Sequence, residues 1–186
     1  MTTNSRSSAL LTFLTVEKTE DGEGYIGALM VTDDHGFPLE FRATTPVRPT
    51  AVQKVLYGAT LETYVGVELC GRKLLQECQR KAPIVLVPNA TLLNLHSSSA
   101  LVLTIRRAGE AIKIETEPDG SPTTVEGRLA SGSFQPVVYD ARVSTDEMRE
   151  ALPLLERCFR EFDLVETFER IRNALKVLAQ EDSQYR

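Results

Sequence analysis

Asp33, Asp34 and His35 stand side by side between two apolar runs and form the one compact cluster of chemically able side chains in the sequence. Two carboxylates and an imidazole are donors that suit manganese, the carboxylates alone suit magnesium, and the three groups could equally act as acid and base. Adjacent residues of an extended chain point to opposite faces, so Asp33 and Asp34 share an ion only if a turn bends them together. Asp-Asp-His-Gly is also an ordinary turn sequence, in which Asp caps backbone amides while His35 lies in solvent.

A second group is basic. Between positions 37 and 81 there are seven basic residues (Arg42, Arg48, Lys54, Arg72, Lys73, Arg80 and Lys81) against four acidic ones (Glu40, Glu62, Glu68 and Glu77), a local +3 in a chain of formal net charge -5. Folded onto one face, Arg48, Lys54, Arg72 and Lys73 would attract an anion or an acidic partner, and a guanidinium can grip phosphate or carboxylate with two hydrogen bonds. The alternative is a solvated helix surface with spaced ion pairs such as Glu68 and Arg72. The overall acidity excludes a protein coated in basic charge for wrapping nucleic acid.

Other motifs are weaker. Gly22-Glu23-Gly24-Tyr25-Ile26-Gly27 has the letters of a dinucleotide fingerprint, but that mechanism needs a helix to open at the third glycine, and a strand pattern follows instead. His96 precedes Ser97, Ser98 and Ser99, which reads as a polar loop because neighbours in sequence do not make a triad. Cys70, Cys78 and Cys158 are odd in number and lack metal-binding spacing, which fits a reducing cytoplasm and excludes a disulfide framework. No apolar run approaches the roughly 20 residues needed to cross a bilayer, so no membrane role is expected.

The elements that must position these groups follow from periodicity. Residues 1–8 are small and polar and are expected to be flexible, and 9–16 and 25–32 read as strands. Phe37, Leu39 and Phe41 alternate with Pro38, Glu40 and Arg42 as a third strand, giving an antiparallel meander. A helix is expected over 51–57 and another over 69–81, with 61–68 readable as helix or strand. Strands follow at 84–87, 101–106, 111–117 and 136–143, with a mobile loop or a mobile hairpin near 118–135. Ser144 and Glu147 have the spacing of a capping box, and Pro153 predicts a kink or a later start in the helix beyond it. Leu164, Phe168, Ile171 and Leu175 make a final apolar helical stripe. The fold class is therefore α/β or α+β, a mixed sheet over 9–143 opened by the meander, with helices in the middle and two amphipathic helices over 144–180, in the same domain or as an interaction arm.

The order strand, strand, strand, helix, strand resembles the opening of ribonuclease H-like domains. That resemblance implies a meander followed by helix-linked parallel strands and, in the nucleases of the group, a carboxylate in the middle of the first strand. Residues 9–16 offer only Thr12 and Thr15 as polar groups there. Some ribonuclease H-like domains in translation factors likewise lack the active site and serve in binding.

Two functions follow as expectations. The first is a non-enzymatic cytoplasmic binding or assembly subunit with no cofactor, meeting a protein partner or a second copy through the basic segment and the stripe Leu164, Phe168, Ile171 and Leu175, with nucleic acid as a further candidate. The alternative is a magnesium- or manganese-dependent hydrolase of nucleic acid or a phosphoester, in which Asp33 and Asp34 join Glu40, Glu62, Glu68 or Asp140.

Overall fold

A computed structural model describes residues 9–95, 100–109, 125–182 and 185. Its centre is a mixed seven-stranded sheet in the order β3-β2-β1-β4-β5-β7-β6, built from β1 (Leu11–Lys18), β2 (Tyr25–Thr32), β3 (Pro38–Ala43), β4 (Ile84–Val87), β5 (Leu101–Arg107), β6 (Val125–Leu129) and β7 (Val137–Ala141). The antiparallel meander β1-β2-β3 is present as expected. β4 then lies parallel to β1, and β5 parallel to β4. Apolar residues on both faces of β1, β2 and β4 explain the continuous hydrophobic runs, because helices cover the sheet on both sides.

One helical layer is α1 (Ala51–Tyr57), α2 (Leu61–Tyr64) and α3 (Arg72–Glu77), joined by a tight turn at Gly58–Thr60 and by wide, i→i+5 turns over Val65–Gly71. The ambiguous segment 61–68 is thus helical. Glycine explains the wide turns: a Cβ on Gly71 would lie 2.6 Å from Leu95 and 2.9 Å from the Gly66 carbonyl oxygen, so only a bare backbone packs so closely. This layer buries Val67 and Leu74, with Leu92 from the turn after β4, against Leu14, Leu29, Val85 and Val87 of the sheet. α1 buries none of its residues. Its support is local: a capping box between Thr50 and Gln53, and Tyr57 stacked on Tyr64 at 4.4 Å between ring centroids.

The expected helix over 69–81 ends earlier, at Glu77. Cys78 turns extended with ψ 124°, and the Glu40 carboxylate of β3 accepts the Gln79 and Arg80 amides at 3.0 and 2.8 Å, which ties the chain down where the helix would have continued. Burial pushes the Glu40 pKa up, but the Gln79 amide, the Arg42 guanidinium and the Arg80 amide outweigh it and hold the group at about 2.

The opposite layer is α4 (Thr145–Glu161) and α5 (Glu166–Glu181). The capping box at Ser144 and Glu147 forms, and the helix runs on through Pro153 without a later start. Phe162 adopts extended backbone and separates the two helices. Leu155, Phe159, Leu164, Phe168, Ile171 and Leu175 are all buried with Leu11, Phe13, Ile26, Met30 and Leu86. The stripe Leu164, Phe168, Ile171 and Leu175 therefore faces this chain's own sheet.

Within the stretch expected to be a loop or a hairpin, Val125–Leu129 is a strand, paired antiparallel with β7. Its Gly127 sits where a Cβ would lie 2.1 Å from the Tyr139 hydroxyl oxygen, so the glycine that looked like a loop signal makes room for a ring inside a sheet. The expected strand at 111–117 and the His96 to Ser99 group lie outside the described residues.

Candidate functional site

In a sheet with parallel strands, ligands bind outside the carboxyl ends of neighbouring strands from which the chain departs in opposite directions. β1 and β4 are that pair: from β1 the chain moves to β2 and β3 on one side, and β5 follows β4 on the other. The parallel register runs Leu11 with Ile84, Thr12 with Val85 and Phe13 with Leu86, so continuing three residues brings Asn89 abreast of Val16. There the surface opens into a cleft lined by Val16, Lys18, Tyr25, Glu62, Gly66, Asn89, Thr91 and Leu92.

Each lining group is placed by an element. Alternation along β1 sends Leu14 toward the α1–α3 layer, and Val16 and Lys18 follow on the same face. Lys18 is paired across the meander with Tyr25, and its Nζ lies 5.8 Å from the centre of that ring. Glu62 enters from α2, and its Oε1 is 2.9 Å from Lys18 Nζ. The hydrogen bond from Lys18 to Glu62, then the carboxylate's charge, raise the lysine pKa above its ordinary value, so the ammonium is charged at neutral pH. Asn89 follows β4 and its Oδ1 accepts the Leu92 amide at 3.3 Å, capping the short helical turn Ala90–Asn94. Side-chain exposures of 59% and 62% leave Lys18 and Glu62 open to a ligand.

Asp33, Asp34 and His35 lie elsewhere, at the turn between β2 and β3. Asp33 Oδ1 accepts the His35 and Phe37 amides at 3.0 and 2.9 Å. Asp34 lies 3.5 Å from Arg157, and His35 Nδ1 lies 3.3 Å from Glu161, both on α4. Of the supporting carboxylates, Glu40 ends α3, Glu68 pairs with Arg72 at 2.9 Å, and Asp140 accepts the Thr104 hydroxyl at 3.0 Å. Only Glu62 reaches the cleft.

The basic segment does not form one anion-attracting face. Arg48 pairs with Asp21 at 2.6 Å and Lys54 with Glu23, both acids from the β1–β2 turn that lie outside the segment where charge was counted. The Thr19 hydroxyl, the Glu23 amide and Arg48 together hold Asp21 well below the usual carboxylate range. Lys73 lines a separate depression with Arg42 and Glu77. The cysteines are buried, and burial raises the thiol pKa of each, that of Cys158 to about 12, which keeps them unreactive.

The magnesium or manganese ion of the hydrolase alternative does not fit the cleft. Such ions take several oxygen ligands, commonly from more than one carboxylate. Here β1 contributes Val16 and Lys18, the segment after β4 contributes a neutral amide, and the single acid among the described residues of the lining is bound to an ammonium. Among the described residues no three His, Cys, Asp or Glu side chains gather as metal ligands.

Comparison with protein-family models gives no match, and none of the curated protein sequences matches either. Solved structures do match. Endonuclease V from Ciona intestinalis, in complex with a 24mer DNA containing an inosine followed by a ribo-adenosine, superposes with a TM-score of 0.55 at 11% identity, covering 92% of this chain and 87% of that one. Endonuclease V from Bacillus subtilis gives 0.53 at 11% identity, over 93% and 83% of the two chains. The fold is therefore similar to that of these endonuclease V structures. This corrects the expectation of a non-enzymatic assembly subunit working through a basic face and a C-terminal arm: the structural neighbours are endonucleases, Arg48, Lys54 and Arg72 are each held by an acid, and the stripe of the arm is core. No helix among the described residues is long and apolar enough to cross a membrane.

Lys18, Tyr25, Asn89 and Thr91 escaped sequence reasoning, and Glu62 entered only as one carboxylate among several. The signal that finds them is topological: once strands 84–87 and 11–18 are known to be parallel neighbours, their carboxyl ends mark the place.

Proposed function

We propose that this chain acts on nucleic acid, taking the sugar-phosphate backbone of a strand in the cleft at the carboxyl ends of β1 and β4. The observation that carries this is the coincidence of the fold's switch point with an open, charged concavity that holds an ammonium, a carboxylate and amide and hydroxyl groups. An ammonium is a point-charge donor for phosphate, and Tyr25 beside it offers a ring face to a base or sugar. The likeness to an endonuclease V described in complex with DNA supports the same substrate class. At net charge -5, contact is confined to this cleft, so affinity is modest and falls with salt.

The test is fluorescence anisotropy with labelled single-stranded and duplex DNA and RNA at low salt, followed by electrophoresis of the same mixtures to detect cut strands. Saturable binding weakened by salt is expected. Absence of binding to every one of these strands would overturn the proposal.

A further inference from the structure

We infer that Lys18 holds, by itself and without a divalent ion, the phosphate of a strand bound in the cleft, with Glu62 as the acceptor that positions its ammonium. This rests on the nucleic-acid reading above and specifies how that site works. The reason is the donor set. A cation entering beside Glu62 would meet the Lys18 ammonium 2.9 Å from the same carboxylate, and like charges that close repel strongly. The ammonium already supplies the positive charge, at the mouth of a cleft where phosphate can reach it.

The geometry around Lys18 is that of a positioned donor. Its place as the last residue of β1 fixes the start of the side chain, Glu62 from α2 takes one of its three N–H groups, and the Tyr25 ring borders the ammonium on the meander side. Two N–H groups remain for phosphate oxygens. Asn89 has its oxygen turned to the Leu92 amide, so the other arm of its side chain, the NH2, is a donor, and Thr91 adds a hydroxyl to the lining. Glu62 has two opposed effects on an anion: it orders the ammonium, and it repels the phosphate.

The experiment is anisotropy of a labelled single-stranded DNA with the whole chain, once with magnesium and once with EDTA, for wild type, Lys18→Ala, Lys18→Arg, Glu62→Gln and the control Lys176→Ala on α5. Wild-type affinity is expected to be equal in magnesium and EDTA. Lys18→Ala should weaken binding about tenfold, the worth of one charge-assisted hydrogen bond, with Lys18→Arg recovering most of it and Lys176→Ala changing little. Glu62→Gln should tighten binding. Circular dichroism checks that each variant is folded, which exposed side chains permit. Binding by wild type that requires magnesium would leave the nucleic-acid reading standing and overturn this inference, as would Lys18→Ala binding like wild type. Calorimetric titration of manganese alone gives a second readout: saturable uptake that Glu62→Gln abolishes would also overturn it. No binding under either condition would overturn both readings.

Discussion

The turn between β2 and β3 and the cleft at the ends of β1 and β4 each bring acids and a cation together, and they use them in opposite ways. At the turn, Asp33 spends its carboxylate on two backbone amides, while Asp34 and His35 reach to Arg157 and Glu161 of α4. Those bonds close a hairpin and fasten it to a helix. In the cleft, Lys18 and Glu62 meet across 2.9 Å from a strand and a helix more than forty positions apart, over a concavity rather than against a packed surface. The Asp33 carboxylate serves the local backbone, whereas the Lys18–Glu62 pair borders a concavity that a ligand can enter. The turn's contacts are structural, and the cleft is the site proposed for a ligand.

That contrast can be broken by showing either region in the other's role. The largest effect is expected at Gly36, which has φ 81° and where a Cβ would lie 2.7 Å from the Phe162 ring. Gly36→Ala should lower stability by about 3 kcal/mol, combining a left-handed backbone penalty with overpacking, as read from urea denaturation. Strand binding measured under conditions where the variant remains folded should be unchanged; loss of binding in the folded variant would assign the turn a role in the site.

Glu40 comes next, because it is a structural carboxylate to set against Glu62. Its pKa is depressed to about 2 in the folded chain, so its stabilisation is present above the unfolded carboxylate value and is lost as pH falls from there toward 2. Glu40→Gln should therefore cost about 2 kcal/mol at neutral pH, and the gap between variant and wild type should close in acid. A deficit that persists at low pH would mean the charge is not what the Gln79 and Arg80 amides require. Asp33→Ala should cost about 1 kcal/mol through the two lost caps, with no change in affinity for a strand, measured by the same denaturation and anisotropy assays. The smallest effect belongs to the salt response: Lys18→Ala should reduce the slope of log affinity against log salt by about 0.7, the share of one phosphate contact on a single strand. An unchanged slope would place the phosphate elsewhere.

The sequence made the meander and the two C-terminal helices plain, since alternation in 37–42 and the Ser144 capping box are local signals with local causes. It was silent on what depends on close approach. The wide helical turns over Val65–Gly71 come from glycines fitting against Leu95 and the Gly66 carbonyl, and the strand Val125–Leu129 depends on Gly127 admitting Tyr139; neither contact shows in periodicity. Charge counting along 37–81 misled for a similar reason, because Asp21 and Glu23 reach Arg48 and Lys54 from an earlier turn. The cleft needed the parallel pairing of β1 with β4, a contact between segments some seventy residues apart, so Lys18 and Asn89 carried no mark in the sequence alone.

The most direct test is an NMR titration of the isotope-labelled chain with a single-stranded DNA, following backbone amides. Shifts concentrated at Lys18, Tyr25, Glu62, Asn89 and Thr91, with Asp33, Asp34 and His35 unmoved, are the predicted result. Shifts centred on the β2–β3 turn, or confined to α1 and the basic residues around it, would contradict the assignment of function to the cleft.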